Sequence, residues 1–185
     1  VEAGLSAQHR KALFALGFQP DDPDKPGKIT TVAGNILQAN ESFTGHQVCC
    51  VLSGPGAGAA ADLFTEWPEA GVYHQREVER RPTDTPGSIS VHGHVINMYS
   101  QFCPGKPSVK GSTARSIKWG RYAGEFSQFP GISDDRRDRM EWFVRCLRQI
   151  CKAFPRGAPR TLALPAGIGC GLADGQWRDY YNALQ

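Results

Sequence analysis

Two glycine-rich stretches hold the residues whose types and spacing could do chemistry. The later one, Thr161–Trp177, reads TLALPAGIGCGLADGQW. Its apolar start, Leu162-Ala163-Leu164, predicts a buried strand that Pro165 closes, because a proline cannot donate to a sheet ladder. Glycines 167, 169 and 171 follow, and Asp174, Gln176 and Trp177 then open a helical segment. A strand, a glycine-rich turn and a helix start together make an anion site. The glycines let backbone approach closely, and the free N–H groups of the helix terminus face negative charge. The same pattern also serves as a plain strand-to-helix turn. An earlier stretch repeats it: HQVCCVLS (His46–Ser53) is apolar through its centre and feeds GPGAGAAADLFTEW. Gly54, Gly56 and Gly58 form the turn, and Ala60, Leu63, Phe64 and Trp67 then fall at helical spacing before Pro68. Two such turns at the carboxyl ends of strands suit a diphosphate better than a single phosphate.

Other chemistries are disfavoured. No Gly-Lys-Ser/Thr follows either set of glycines, so a Walker-type ATPase is not expected. The first turn lacks dinucleotide-fold glycine spacing, and no acid follows at the ribose-reading distance, which argues against a nicotinamide enzyme. Cysteines 49, 50, 103, 146, 151 and 170 include no C-x-x-C pair, so no metal and no cofactor are expected. Cys146 and Cys151 read as small buried hydrophobes in a helix, and the compartment as reducing and cytoplasmic. Cys170, between glycines at a helix start, is the thiol whose pKa could be lowered.

The elements that must position these residues follow from the rest of the chain. With 185 residues, 40% hydrophobic and 21% charged, the chain has the size and composition of one globular domain. No apolar run approaches the ~20 residues of a membrane span. A net charge of +3 suits an anionic ligand without demanding nucleic acid. Ser6 caps an expected helix through Leu16, and Gln19 to Lys28 is a Pro/Asp-rich loop; together they make residues 1–28 a lead-in to a domain over 29–185. A strand begins at Ile29. SISVHGHVINMY, ending at Tyr99, reads as two strands about a turn at His92-Gly93. Residues 104–131 show no periodicity but carry Lys106, Lys110, Arg115, Lys118 and Arg121. Ser133 is the expected N-cap of the clearest helix, with Asp134 and Asp135 at its positive end and an apolar stripe of Met140, Phe143, Val144, Leu147, Ile150, Cys151 and Phe154. Alternating strands and helices with apolar central strands predict an α/β fold, a three-layer α/β/α sandwich with a mixed central sheet.

GNIL (34–37), HQVCCVLSGPGAGAA (46–60), VINMYSQFCPG (95–105) and LALPAGIGCGLADGQW (162–177) together resemble the macrodomain family. The resemblance is nearest the branch holding the terminal ADP-ribose protein glycohydrolase and the yeast ADP-ribose-1″-phosphate phosphatase. It covers the chain from about Ile29 onward, and the I-G-C-G-L…W block is its most specific part. It implies an α/β/α fold that binds ADP-ribose. Asn35, beside Ile36, stands where the family usually has an Asp that accepts from the adenine amine. Cys49 stands where an Asn often contacts the distal ribose. Gly56, Ala57 and Gly58 match the first phosphate loop, and Ile168, Gly169, Cys170, Gly171 and Leu172 match the second. Tyr99 and Gln101 are expected to line the crevice. The glycohydrolase Lys and Asp positions are unfilled, which leaves Asp174 and His46 as candidate catalytic groups for hydrolysis of an ADP-ribosyl ester or of ADP-ribose 1″-phosphate. Asp174 also fits an ordinary first-turn helix acid, and His46 a structural residue. A non-catalytic reader of ADP-ribosylated protein is the alternative, as is a poly(ADP-ribose) or RNA binder working through the basic loop 106–121. A monomer with no membrane contact is expected. The family's last helix precedes a further strand, and the chain ends before one. With no initiator Met, that suits a domain cut from a longer chain such as a viral polyprotein.

Overall fold

The run VINMYSQ is buried at all seven positions, which requires neighbours on both edges and cover on both faces of a strand. It forms β5 (Val95–Gln101). The computed structural model describes residues 13–18, 28–109, 119–153 and 160–185. The remaining strands are β1 (Leu13–Phe18), β2 (Lys28–Val32), β3 (Phe43–Cys49), β4 (Ile89–His92) and β6 (Arg160–Pro165). They assemble one six-stranded sheet in the order β2-β1-β6-β3-β5-β4. β3 runs parallel to both β5 and β6, whereas β1 is antiparallel to β2 and β6, and β4 to β5. The carboxyl ends of β2, β6, β3 and β5 therefore share one edge of the sheet.

The helices among the described residues include α1 (Ala59–Glu66), α2 (Val72–Val78), α3 (Ala123–Ser127), α4 (Arg136–Ala153) and α5 (Trp177–Leu184). This is a mixed α/β fold. Alternation along β5 decides what packs where. Ile96 and Met98 join Leu162 and Leu164 under Phe143, Cys146 and Ile150 of α4 and Tyr180 of α5. Tyr99 joins Val48 and Cys50 against Ala60 of α1 and Val72 and Tyr73 of α2. None of the described helices is long and apolar enough to cross a membrane.

Three expectations are corrected. Residues 13–16, placed in a helix, belong to β1, where Leu13 pairs with both Val32 and Pro165. A slot between two strands offers ladder partners on both sides, and satisfying them outweighs the modest helix propensity of LFAL. The sheet thus draws in a segment ahead of the expected boundary at 29, while residues 1–12 and 19–27 lie outside the described residues. The cap of α4 is Asp135, not Ser133: its Oδ1 accepts the Asp138 N–H at 2.9 Å. Asp138 in turn accepts from the backbone N–H groups of Ser133 and Asp134, a reciprocal cap. Finally, the aperiodic region 104–131 contains α3, and Lys110, Arg115 and Lys118 lie outside the described residues. The hairpin over 89–101 forms as expected, its turn made by Gly93 at φ +59°.

Candidate functional site

The first glycine loop (54–58) leaves the β3 edge, and the second (167–172) leaves β6, the strand beside it. Their adjacency shows at one point: a Cβ added to Gly58 would lie 3.8 Å from Cδ1 of Leu172. Leu172 is 66% exposed, held on the surface by the turn rather than by the core. In the first loop the N–H groups of Ala57, Gly58 and Ala59 meet no acceptor among the described residues, and Gly58, at φ +61°, opens α1 with no side-chain cap. In the second, Ile168 and Cys170 spend their amides inside the turn, on Pro165 and Gly167. Among the described residues, the N–H groups of Gly167, Gly169, Gly171, Leu172 and Ala173 there meet no acceptor. Successive unpaired amides on two neighbouring loops can cradle an anion.

Each loop is tied down by a buried arginine that sequence reasoning did not single out. Arg76 of α2 donates from Nη1 to the Leu52 carbonyl at 2.7 Å and is ion-paired with Asp84, while Tyr73 accepts the Gly54 N–H. Arg139 of α4 is 1% exposed and pairs through Nε and Nη2 with Asp134 at 2.8 Å. Its fork also reaches the carbonyls of Cys103, Gly105, Lys106 and Ala173. The Asp134 carboxylate accepts the N–H groups of Phe102 and Cys103 as well. The second loop, the end of β5 and the start of α4 are thereby one hydrogen-bonded unit. In a sequence these arginines look like any others in a charged helix; an arginine among the apolar positions of the α4 stripe was the available signal.

Gly169 sets the shape of the second loop. It sits at φ +75°, and a Cβ there would fall 2.3 Å from Cζ of Tyr180. Gly175 presses on the same ring, so the loop is moulded around a buried tyrosine. Behind it, Pro107, Arg136, Ala173, Gln176 and Tyr180 line a cavity of about 30 Å³. That is room for one water, not for a nucleotide.

No family model, curated protein or solved structure matches the chain. The candidate residues are therefore weighed on geometry alone. Asn35 follows β2 at the same sheet edge, and its Oδ1 accepts the Leu37 N–H at 3.1 Å, capping the short turn Ile36–Gln38. A base amine would use the second lone pair of that oxygen. Gly56, Ala57, Gly58, Gly171 and Leu172 lie in the two loops. Ile168 is buried under α5, and the half-buried Cys170 turns its thiol back to the Ile168 carbonyl. Asp174, at φ +55°, is half-exposed and stands between Arg136 at 3.3 Å and Lys106 at 3.9 Å.

Four expected site residues are placed elsewhere. Cys49 is buried, its sulfur accepting from the Tyr73 hydroxyl, and burial pushes its thiol up to about 11. Tyr99 is buried with its hydroxyl on Ser90, and Gln101 braces Gln47 and the Cys103 carbonyl. β5 has a strand on each side and packing on each face, so its side chains cannot line an open crevice. His46 is 1% exposed in mid-strand, edge-on to Phe64. Asn97 donates to the Ala70 carbonyl, which turns its Oδ1 toward His46 Nε2 at 2.6 Å. Nε2 therefore carries the proton, and Nδ1 is buried with no partner among the described residues. A ring so enclosed is structural, not a general base.

Burial lowers the His46 pKa from 6.5 to about 4, against the raising effect of Asn97. Between those values the unfolded chain binds a proton that the folded chain refuses. The stability His46 contributes is complete above pH 6.5 and is lost as pH falls toward 4. The loss should be about 3 kcal/mol by pH 4. His46→Gln keeps a donor for Asn97 without titrating. Its urea-unfolding free energy should fall less than half as far as that of the wild type between pH 7 and pH 4. Equal slopes would assign the acid sensitivity to another group.

Proposed function

We propose that this chain is an ADP-ribose-binding domain of macrodomain type, its sheet layered between helices as an α/β/α sandwich. The observation that carries the reading is the pair of neighbouring glycine loops with unengaged amides, set at the ends of two adjacent parallel strands. Asn35 would hold adenine, and the loops the diphosphate between them. The four sequence blocks that resemble the family support the same ligand. Binding, as a reader of ADP-ribosyl groups, is the reading favoured over hydrolysis. His46 and Cys49 are enclosed in the core, which leaves Asp174 as the candidate acid, and two cations engage its carboxylate. A poly(ADP-ribose) or RNA surface on the basic loop would rest on Lys106 and Arg121 together with residues outside the described ones.

Gly171 provides the test. A Cβ there meets nothing within 4 Å, and its φ is not positive, so a side chain fits without disturbing the loop. Gly171→Glu would set a carboxylate beside the unengaged amides. Calorimetric titration should show ADP-ribose bound more tightly than AMP by the wild type, and a loss of at least tenfold in Gly171→Glu with the melting temperature unchanged. No heat from ADP-ribose at millimolar concentration would end the proposal. An unaltered affinity in the variant would place the ligand elsewhere. Slow turnover of ADP-ribosyl esters, if present, should vanish in Asp174→Asn.

A further inference from the structure

The four parallel strand ends lie along the sheet edge in a fixed order, β2, β6, β3 and then β5. In the reading proposed above, the first three carry Asn35, the second loop and the first loop. A ligand with adenine at Asn35 and its diphosphate across the two loops then directs its second sugar toward the end of β5. What the chain places there is aromatic. Phe102, the residue after β5, is fully buried, and Phe126 and Phe129 pack on it with ring centroids 4.7 and 5.6 Å away. Trp119 stacks on Phe126 at 4.2 Å with the planes 7° apart. Tyr122 and Phe129 are half-buried on the cluster that contains Cys49, Val51, Phe102 and Cys103.

We infer that Tyr122 and Phe129 form a subsite for a planar ring carried on the second sugar, so that the crevice takes an intact dinucleotide more tightly than ADP-ribose. Phe126 of the same segment is buried, whereas Tyr122 and Phe129 keep part of their surface exposed. Rings left half-exposed beside a phosphate cradle offer a face on which a heterocycle stacks, at about 1–3 kcal/mol per ring. The neutral dihydronicotinamide ring suits the place better than its cationic form, because Arg121 stands beside Tyr122.

The inference rests on the diphosphate reading, and one experiment separates the two. NADH, ADP-ribose and AMP are titrated against the wild type, Tyr122→Phe and Tyr122→Ala, with thermal melts of each protein. NADH should bind the wild type and Tyr122→Phe about tenfold more tightly than ADP-ribose, which corresponds to about 1.4 kcal/mol. Tyr122→Ala should lose that advantage and keep its ADP-ribose affinity within twofold. ADP-ribose binding with NADH no tighter overturns the ring subsite and leaves the diphosphate reading standing. An advantage that survives Tyr122→Ala also overturns it. Failure of both ligands to bind overturns the two readings together. The wild-type comparison decides the matter even if the alanine variant does not fold.

Discussion

Arg139→Met should lower the unfolding free energy by about 3–5 kcal/mol, because it strips the counter-charge from a fully enclosed carboxylate. Asp134 has no exposed surface, and the guanidinium supplies two of its hydrogen bonds. The substitution also leaves the carbonyls of Gly105 and Ala173 without the donor that joins the second loop to the end of β5. The chain cannot relax by hydrating the site, since Asp134 is held inward by the Phe102 and Cys103 amides. Urea unfolding checks this, the midpoint falling by roughly 2 M for an m-value of about 1–3 kcal/mol/M. Adding Asp134→Asn should cost much less than the sum of the two single changes, because the second substitution removes the stranded charge. A loss below about 1 kcal/mol in Arg139→Met would mean that water reaches Asp134 and that the pair contributes as an exposed one does. Arg139→Lys should fall between, keeping the charge but not the fork that spans a carboxylate and several carbonyls.

Gly169→Ala should cost a further comparable amount, about 3–5 kcal/mol, although it adds a single methyl group. The backbone there is left-handed at φ +75°, which alone disfavours a side chain by about 1–2 kcal/mol. The larger part is steric: the new Cβ would fall 2.3 Å from Cζ and 2.4 Å from Cε1 of Tyr180, so the ring must shift within a core it shares with Phe143. Gly171→Ala, two residues on in the same loop, should change stability by no more than about 0.5 kcal/mol. Thermal or urea unfolding of the pair makes the comparison. A double-mutant cycle gives the mechanism: with Tyr180→Ala in place, Gly169→Ala should cost only its backbone component. Equal effects at 169 and 171 would show that the loop is not moulded on Tyr180. Ligand binding should track the same pattern, lost in Gly169→Ala and retained in Gly171→Ala.

These two sites also show where the sequence stopped being informative. A strand, a glycine turn and a helix start are local patterns, and both copies were legible because proline, glycine and apolar period act within a few residues of themselves. The VINM strand, the hairpin at Gly93 and most of the α4 stripe were legible for the same reason, although Cys151, read as a buried hydrophobe, is exposed and Phe154 lies outside the described residues. The role of Arg139 was not. Its meaning depends on Asp134 turning inward at φ +52°, and on carbonyls from residues 103–106 and 173 arriving at the same point.

The expected site residues divide along the same line. Of those assigned to the glycine loops, Gly56, Ala57, Gly58, Gly171 and Leu172 lie in the loops at the strand ends, whereas Ile168 is buried under α5. Those assigned by position within a strand do not line the crevice. Whether Cys49, Tyr99, Gln101 and His46 face ligand or core depends on which helices lie over the sheet, and no local pattern encodes that. β1 makes the point at the level of a whole element: LFAL has no strong preference of its own, and two waiting strands decide its conformation. By itself the sequence determined the alternation of strands and helices, the two glycine turns and the apolar core. Only the tertiary structure decided that the turns leave adjacent strands, that two buried arginines hold them, and that an aromatic segment follows the end of β5. Those facts come from long-range contacts, whose partners lie far apart in the chain and meet only when the sheet has formed.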